Sequence, residues 1–128
     1  MKRPTFLASI GLAVPMLMFT ATAWGHGDIV SRKGGIAVAA GEMTIEFVIA
    51  PGKVSVYLND HGDPVSIKGA EGTLVVGSAL AEDRAIPMRV SANGGFEAHD
   101  VSAKRGDRIK FFARMPDGQV HVAQIAIP

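Results

Sequence analysis

Four histidines, His26, His61, His99 and His121, are the residues of this chain best suited to chemistry, and no cysteine accompanies them. Neutral imidazole is the usual side-chain ligand for copper and zinc. His26 lies just behind two positions at which a secretory leader would be cut. Cleavage after Ala23 exposes Trp24-Gly25-His26. The free amine, two deprotonatable amide nitrogens and third-position imidazole of such an end close a square-planar four-nitrogen set that suits Cu(II) or Ni(II). Cleavage after Gly25 instead makes His26 the first residue, and its amine and imidazole then chelate one ion from two sides. A histidine beside a processed terminus also arises by chance, and such ends are often disordered.

His61 falls in the turn cluster Asn59-Asp60-His61-Gly62-Asp63-Pro64, His99 alternates outward from Phe96 and Ala98, and His121 is opposite in parity to Val120 and Val122. All three are expected to be at least partly exposed. Spacing alone does not bring them together, and each taken singly reads as an ordinary surface histidine. Met43, Met88 and Met115 carry soft thioethers that suit Cu(I). The inward parities of Met88 and Met115 assign them to the core instead.

Catalytic signatures are missing. The chain has no phosphate-binding Gly-rich loop with lysine, no Gly-x-Ser-x-Gly, no His-Glu-x-x-His and no thiol nucleophile. Asp60 adjoins His61, but no spacing supports a Ser/His/Asp set. The expectation is a protein that is not an enzyme, with no catalytic residue.

The elements that must position these residues are strands. From Met43 onward, apolar and polar residues alternate in short runs divided by turn residues, the period-2 signature of half-buried strands. Ile45, Phe47 and Ile49 share one parity against Thr44 and Glu46. Pro51-Gly52 turns the chain, and Val54, Val56 and Leu58 alternate back, which predicts a hairpin. Short strands are expected at Val65–Ile67 and Thr73–Val76, with Gly77–Asp83 as a loop. Ile86, Met88 and Val90 predict a strand that Pro87 confines to an edge, because proline cannot donate to the ladder. Further strands are expected at Phe96–Val101, Arg108–Met115 and Gln119–Ile127. In the last, Val120 and Val122 share a parity that Gln124 breaks, pointing to a bulge or an edge. Lys104-Arg105-Gly106-Asp107-Arg108 reads as a solvated turn. About seven short strands spaced near ten residues predict an all-β fold, an antiparallel immunoglobulin-like β-sandwich, with a small barrel as the alternative.

Ahead of the strands, Lys2 and Arg3 precede an apolar run from Phe6 to Phe19, closed by Ala21-Thr22-Ala23. Positive start, short apolar middle and small residues at −3 and −1 form a cleavable signal peptide, and the run is shorter than the roughly 20 residues a bilayer needs. The expected organisation is a signal peptide over 1–23, a flexible lead and first strand over 24–40, and the sandwich over 41–128. The mature chain is expected to have no membrane span. Loss of Lys2 and Arg3 from 13 basic residues leaves eleven against 12 acidic ones. No basic stretch interleaves with aromatics, so nucleic acid is not an expected partner. Without cysteine in an oxidising compartment, stability has to come from the core.

The stretch Val54-Ser55-Val56-Tyr57-Leu58-Asn59-Asp60-His61-Gly62-Asp63-Pro64-Val65, followed by Lys68-Gly69-Ala70-Glu71-Gly72-Thr73, resembles small periplasmic proteins found with heavy-metal (copper) efflux systems. It is also similar to a segment of the periplasmic adaptor subunits of those pumps. In that group an N-terminal His-Gly is followed by a Gly-Gly strand, a valine-rich hairpin and a Tyr-Leu-x-Asp-His turn. Here those elements are His26-Gly27, Gly34-Gly35 and Tyr57-Leu58-Asn59-Asp60-His61. The likeness spans about half of the mature chain. It implies a periplasmic β-sandwich that binds copper or a related metal, with an efflux-system component as partner. Such proteins often carry a second histidine before Gly-Gly where this chain has Lys33, so residue by residue the resemblance carries only His26 and His61 as ligands. The expected function is sequestration of the ion or its delivery to an efflux partner. The alternative is a non-catalytic sandwich that docks on an envelope complex through an edge strand and binds no metal.

Overall fold

A computed structural model describes residues 29–128. The expected signal peptide, both cleavage sites and His26 lie outside the described residues. The described chain is all-β, every strand pairing is antiparallel, and no helix occurs among these residues. No helix here is long and apolar enough to cross a membrane.

Two sheets face each other in a sandwich-like arrangement. The first runs in the spatial order β1 (Ile36–Ala40), β2 (Met43–Ala50), β3 (Gly52–Asp60), β8 (Phe96–Val101) and β7 (Arg89–Val90), with the short β4 (Asp63–Pro64) also paired to β3. The second runs β10 (Val120–Ala126), β9 (Arg108–Arg114), β5 (Glu71–Ser78) and β6 (Ala81–Pro87). The predicted hairpin is β2–β3, with Ala50 opposite Lys53 across Pro51-Gly52. Ile45, Phe47, Val54, Val56 and Leu58 point inward from it and are buried. Ile109, Phe111, Ala113 and Met115 supply the facing set. The sheets meet where Phe111 packs edge-on against Phe47, with centroids 6.3 Å apart, and tilted against Phe96 at 5.4 Å. Met88 is half-buried against the same core.

Several local expectations need correction. Val65–Ile67 is not a strand: the two-residue β4, Asp63–Pro64, precedes it, and after the Val65 amide donates to the Leu58 carbonyl the chain leaves the ladder and buries Ile67. Gly77–Asp83 is not a loop. β5 and β6 form a tight hairpin there, with Ser78 opposite Ala81 and one register irregularity before it. The stretch Ile86–Val90 is two strands in different sheets. Pro87 ends edge strand β6 opposite Thr73, Met88 donates to the Gly72 carbonyl, and the chain crosses to β7. The proline is at an edge as expected, but the alternation around it continues across a sheet change. With these pieces the described residues form ten strands, two of them only two residues long, instead of about seven.

β10 is an unbroken edge strand with the opposite facing from that expected. Its register against β9 sets Ile125 opposite Ile109, Ala123 opposite Phe111 and His121 opposite Ala113. Ala123 and Ile125 are therefore buried, while Val120 and Val122 face out at 56% and 46% exposure. Gln124 shares that outward side, so no bulge is needed.

Candidate functional site

β2 is buried on both faces, and this determines where the N-terminal lead goes. Glu46 pairs with Tyr57 on the outer side of the first sheet, yet it is 0% exposed. Residues Ser31–Gly35 fold over it. Glu46 Oε1 accepts the Arg32 amide at 2.9 Å; Oε2 accepts the Lys33 amide at 2.9 Å, the Gly35 amide at 2.8 Å and the Ser31 hydroxyl at 2.8 Å. Burial by itself pushes this carboxyl up. The hydrogen bonds to Arg32, Gly35, Lys33 and Ser31 together outweigh burial and hold it below its ordinary value. Gly35 is required for the approach, because a Cβ there would collide with the Phe47 carbonyl oxygen.

The clamped lead roofs one end of the sheet. The Lys33 ammonium stands 4.7 Å over the centroid of the Tyr57 ring, and the Arg32 guanidinium lies beside Gly62, where it would sit 2.8 Å from an added Cβ. Tyr57 is fixed from its other end, since its hydroxyl accepts from Asn93 Nδ2 at 2.9 Å. Asn93 in turn accepts the Ser91 hydroxyl. Gly95 lets this loop close on the ring, because a Cβ there would come within 2.5 Å of it. A cleft of about 550 Å³ remains between the lead, the loop after β4 and the β7–β8 loop.

At the lip of this cleft, one residue before Gly62, stands His61. Its backbone is left-handed at φ 52°, and its Nδ1 lies 2.6 Å from Asp60 Oδ1. A carboxylate only accepts, so Nδ1 is the donor in this contact, and in the neutral form of the ring Nε2 is the nitrogen left to ligate. His99 has a comparable partner, with Nε2 3.1 Å from Glu97 Oε1; Glu97 also pairs with Lys53 at 3.7 Å. His99 lies opposite Lys53, at the far end of β3 from His61, about 25 Å away at a strand rise of about 3.3 Å per residue. His121 is in the second sheet, half-buried on the inward side. The structure thus places His61, His99 and His121 in three separate places, and no three His, Cys, Asp or Glu side chains converge among the described residues.

No protein-family model, curated protein or solved structure matches this chain.

Two site features were missed by reading the sequence. Glu46 sits on the polar parity of an amphipathic strand, which normally means solvent. The signal was the preceding Ser31 and Gly34-Gly35, a small-residue segment able to bring several amides to one acceptor. The cationic cleft is assembled from three distant segments, and no local spacing foretells it.

Proposed function

We propose that this chain is an exported, periplasmic copper-binding protein that sequesters the ion or delivers it to an efflux partner, on a frame of immunoglobulin-like type. The observation that carries this reading is the docking of the lead against the His61 turn. Glu46 fixes residues 31–35, and Arg32 touches Gly62, so the chain leading back to His26 starts beside His61. His26 lies six positions before Arg32, a span of up to about 20 Å when extended. His26 can therefore share an ion with His61, whose ring is already turned by Asp60 to present Nε2. His99, at the far end of β3, and His121, half-buried in the second sheet, are no part of that site.

In this account the processed end supplies amine and imidazole, and His61 supplies a further nitrogen with a carboxylate behind it. Carboxylate support of a ligating imidazole commonly changes metal affinity by 10–100-fold. The test is a copper titration of the purified protein beside Asp60→Asn and His61→Ala, with the N-terminus established by mass spectrometry. Weakening in both variants is the expected result. Affinities equal to the parent would remove His61 from the site.

A second reading, the non-metal docking module, is favoured by β6. That strand is an open edge whose residues Ala81–Ala85 are all exposed, and Leu80 at its turn is 98% exposed. Such an edge can accept a strand from a partner. Absence of copper binding by the parent protein would favour this reading.

A further inference from the structure

We propose that the cleft over Tyr57 and Asn59 is a binding site for a small organic anion carrying two or more carboxylate or phosphoryl groups. The proposal is independent of copper. Arg32, Lys33 and Lys68 all line the cleft, while no Asp or Glu does. Ammonium and guanidinium groups have no lone pair to give a cation, so this lining selects a negative ligand.

The nearby carboxylates are not ion-paired with these cations. Glu46 accepts from Ser31 and from the backbone amides of Arg32, Lys33 and Gly35, and Asp60 faces His61. Among the described residues none of the three cations forms a salt bridge. An independent observation is Asn59. It is only 8% exposed, it lines the same cleft, and its carboxamide hydrogen-bonds to no other described residue. Buried amides without partners are costly, so a carboxamide that lines a cationic cleft with no partner among the described residues marks a place where a ligand atom completes the set.

The walls are built in advance. The Glu46 clamp fixes the backbone that carries Arg32 and Lys33, and the Asn93–Tyr57 bond fixes the ring beneath Lys33. A volume of about 550 Å³ accommodates a ligand larger than a single inorganic ion. Two or more oxyanion groups would engage Arg32, on the lead, and Lys68, on the loop after β4, at once. Guanidinium favours bidentate contact and ammonium acts as a point charge.

The experiment is two-dimensional amide NMR of metal-free protein titrated separately with citrate and with pyrophosphate, against sodium chloride at matched ionic strength. Saturable shifts are expected for Lys33, Gly62, Ser66, Lys68 and Asn93 with at least one probe, and which probe binds tighter separates carboxylate from phosphoryl recognition. Arg32→Gln and Lys68→Gln, both exposed and with folding visible in the same spectra, should each weaken binding about tenfold. His61→Ala should leave it unchanged. Shifts that follow ionic strength alone, binding by Arg32→Gln and Lys68→Gln as tight as the parent's, or loss of binding in His61→Ala would each overturn the proposal.

Discussion

The amide of Gly35 donates to Oε2 of Glu46 at 2.8 Å, from a backbone position so close to the Phe47 carbonyl that only glycine fits. This contact ties the N-terminal lead to the middle of the first sheet, and the cleft and the His61 lip both depend on it. Glu46 has a lower pKa folded than unfolded, so it contributes stability above the ordinary carboxylate value of 4.5, and that stability is lost as pH falls through the folded value. Glu46→Gln should cost about 2–3 kcal/mol at neutral pH, because one acceptor oxygen is replaced by an NH₂ aimed at backbone donors. It should also flatten the acid limb of the stability curve. Chemical denaturation at pH 7 and pH 4 measures both, and an acid limb identical to the parent's would refute the role given to Glu46.

Gly35→Ala tests the same clamp from the other side. The added methyl has to displace backbone rather than a flexible side chain, so a loss of about 1–3 kcal/mol is expected. The Lys33 contact with Tyr57 should loosen with it, visible as a change in tyrosine fluorescence or ring NMR shifts. An unchanged melting temperature would show that the lead does not pack as described.

Strand facing gives a sharper contrast. Leu58 is 3% exposed and Val122 is 46% exposed, although both are branched apolar residues in regular strands. Leu58→Ala should cost about 2–5 kcal/mol. Val122→Ala should change stability by no more than about 0.5 kcal/mol. Comparable losses at the two positions would mean that the register of β10 on β9 is wrong.

The sequence was most legible where one face of a strand meets the core. Alternation placed Phe47, Val54, Val56, Phe96 and Phe111 inside, and the structure agrees. It misled at β10 because Val120 and Val122 are as apolar as Ala123 and Ile125. Only the partner strand, with Phe111 and Ile109 inward, decides between the two faces. It also failed in predicting a single strand over Ile86–Val90, where alternation runs through a change of sheet, although Met88 packs against the core as expected. Of the candidate site, the Asp60-His61 turn was readable from its turn residues, while the clamp on Glu46 and the cleft beside it arise from segments meeting across the fold.

Metal removal should leave the fold intact. The core is closed by Phe47, Phe96, Phe111 and the aliphatic side chains around them, with no metal needed to hold the sheets together. Thermal unfolding followed by circular dichroism should be cooperative in the presence of a chelator, with secondary structure unchanged at 25 °C. Unfolding by chelator under native conditions would assign the metal a structural role.

The most direct measurement of the central claim is a Cu(II) titration, followed by electron paramagnetic resonance, of the exported protein with its authentic N-terminus. It would be run beside His26→Ala, His61→Ala and a form extended by one residue at the terminus. Affinity should fall as pH drops, because amine and imidazole must lose protons to become ligands. At fixed pH, the extension and both histidine substitutions should weaken binding and alter the nitrogen hyperfine pattern, while the fold stays unchanged. Binding that is the same in all four proteins, or absent from the parent for both Cu(II) and Cu(I), would contradict the account.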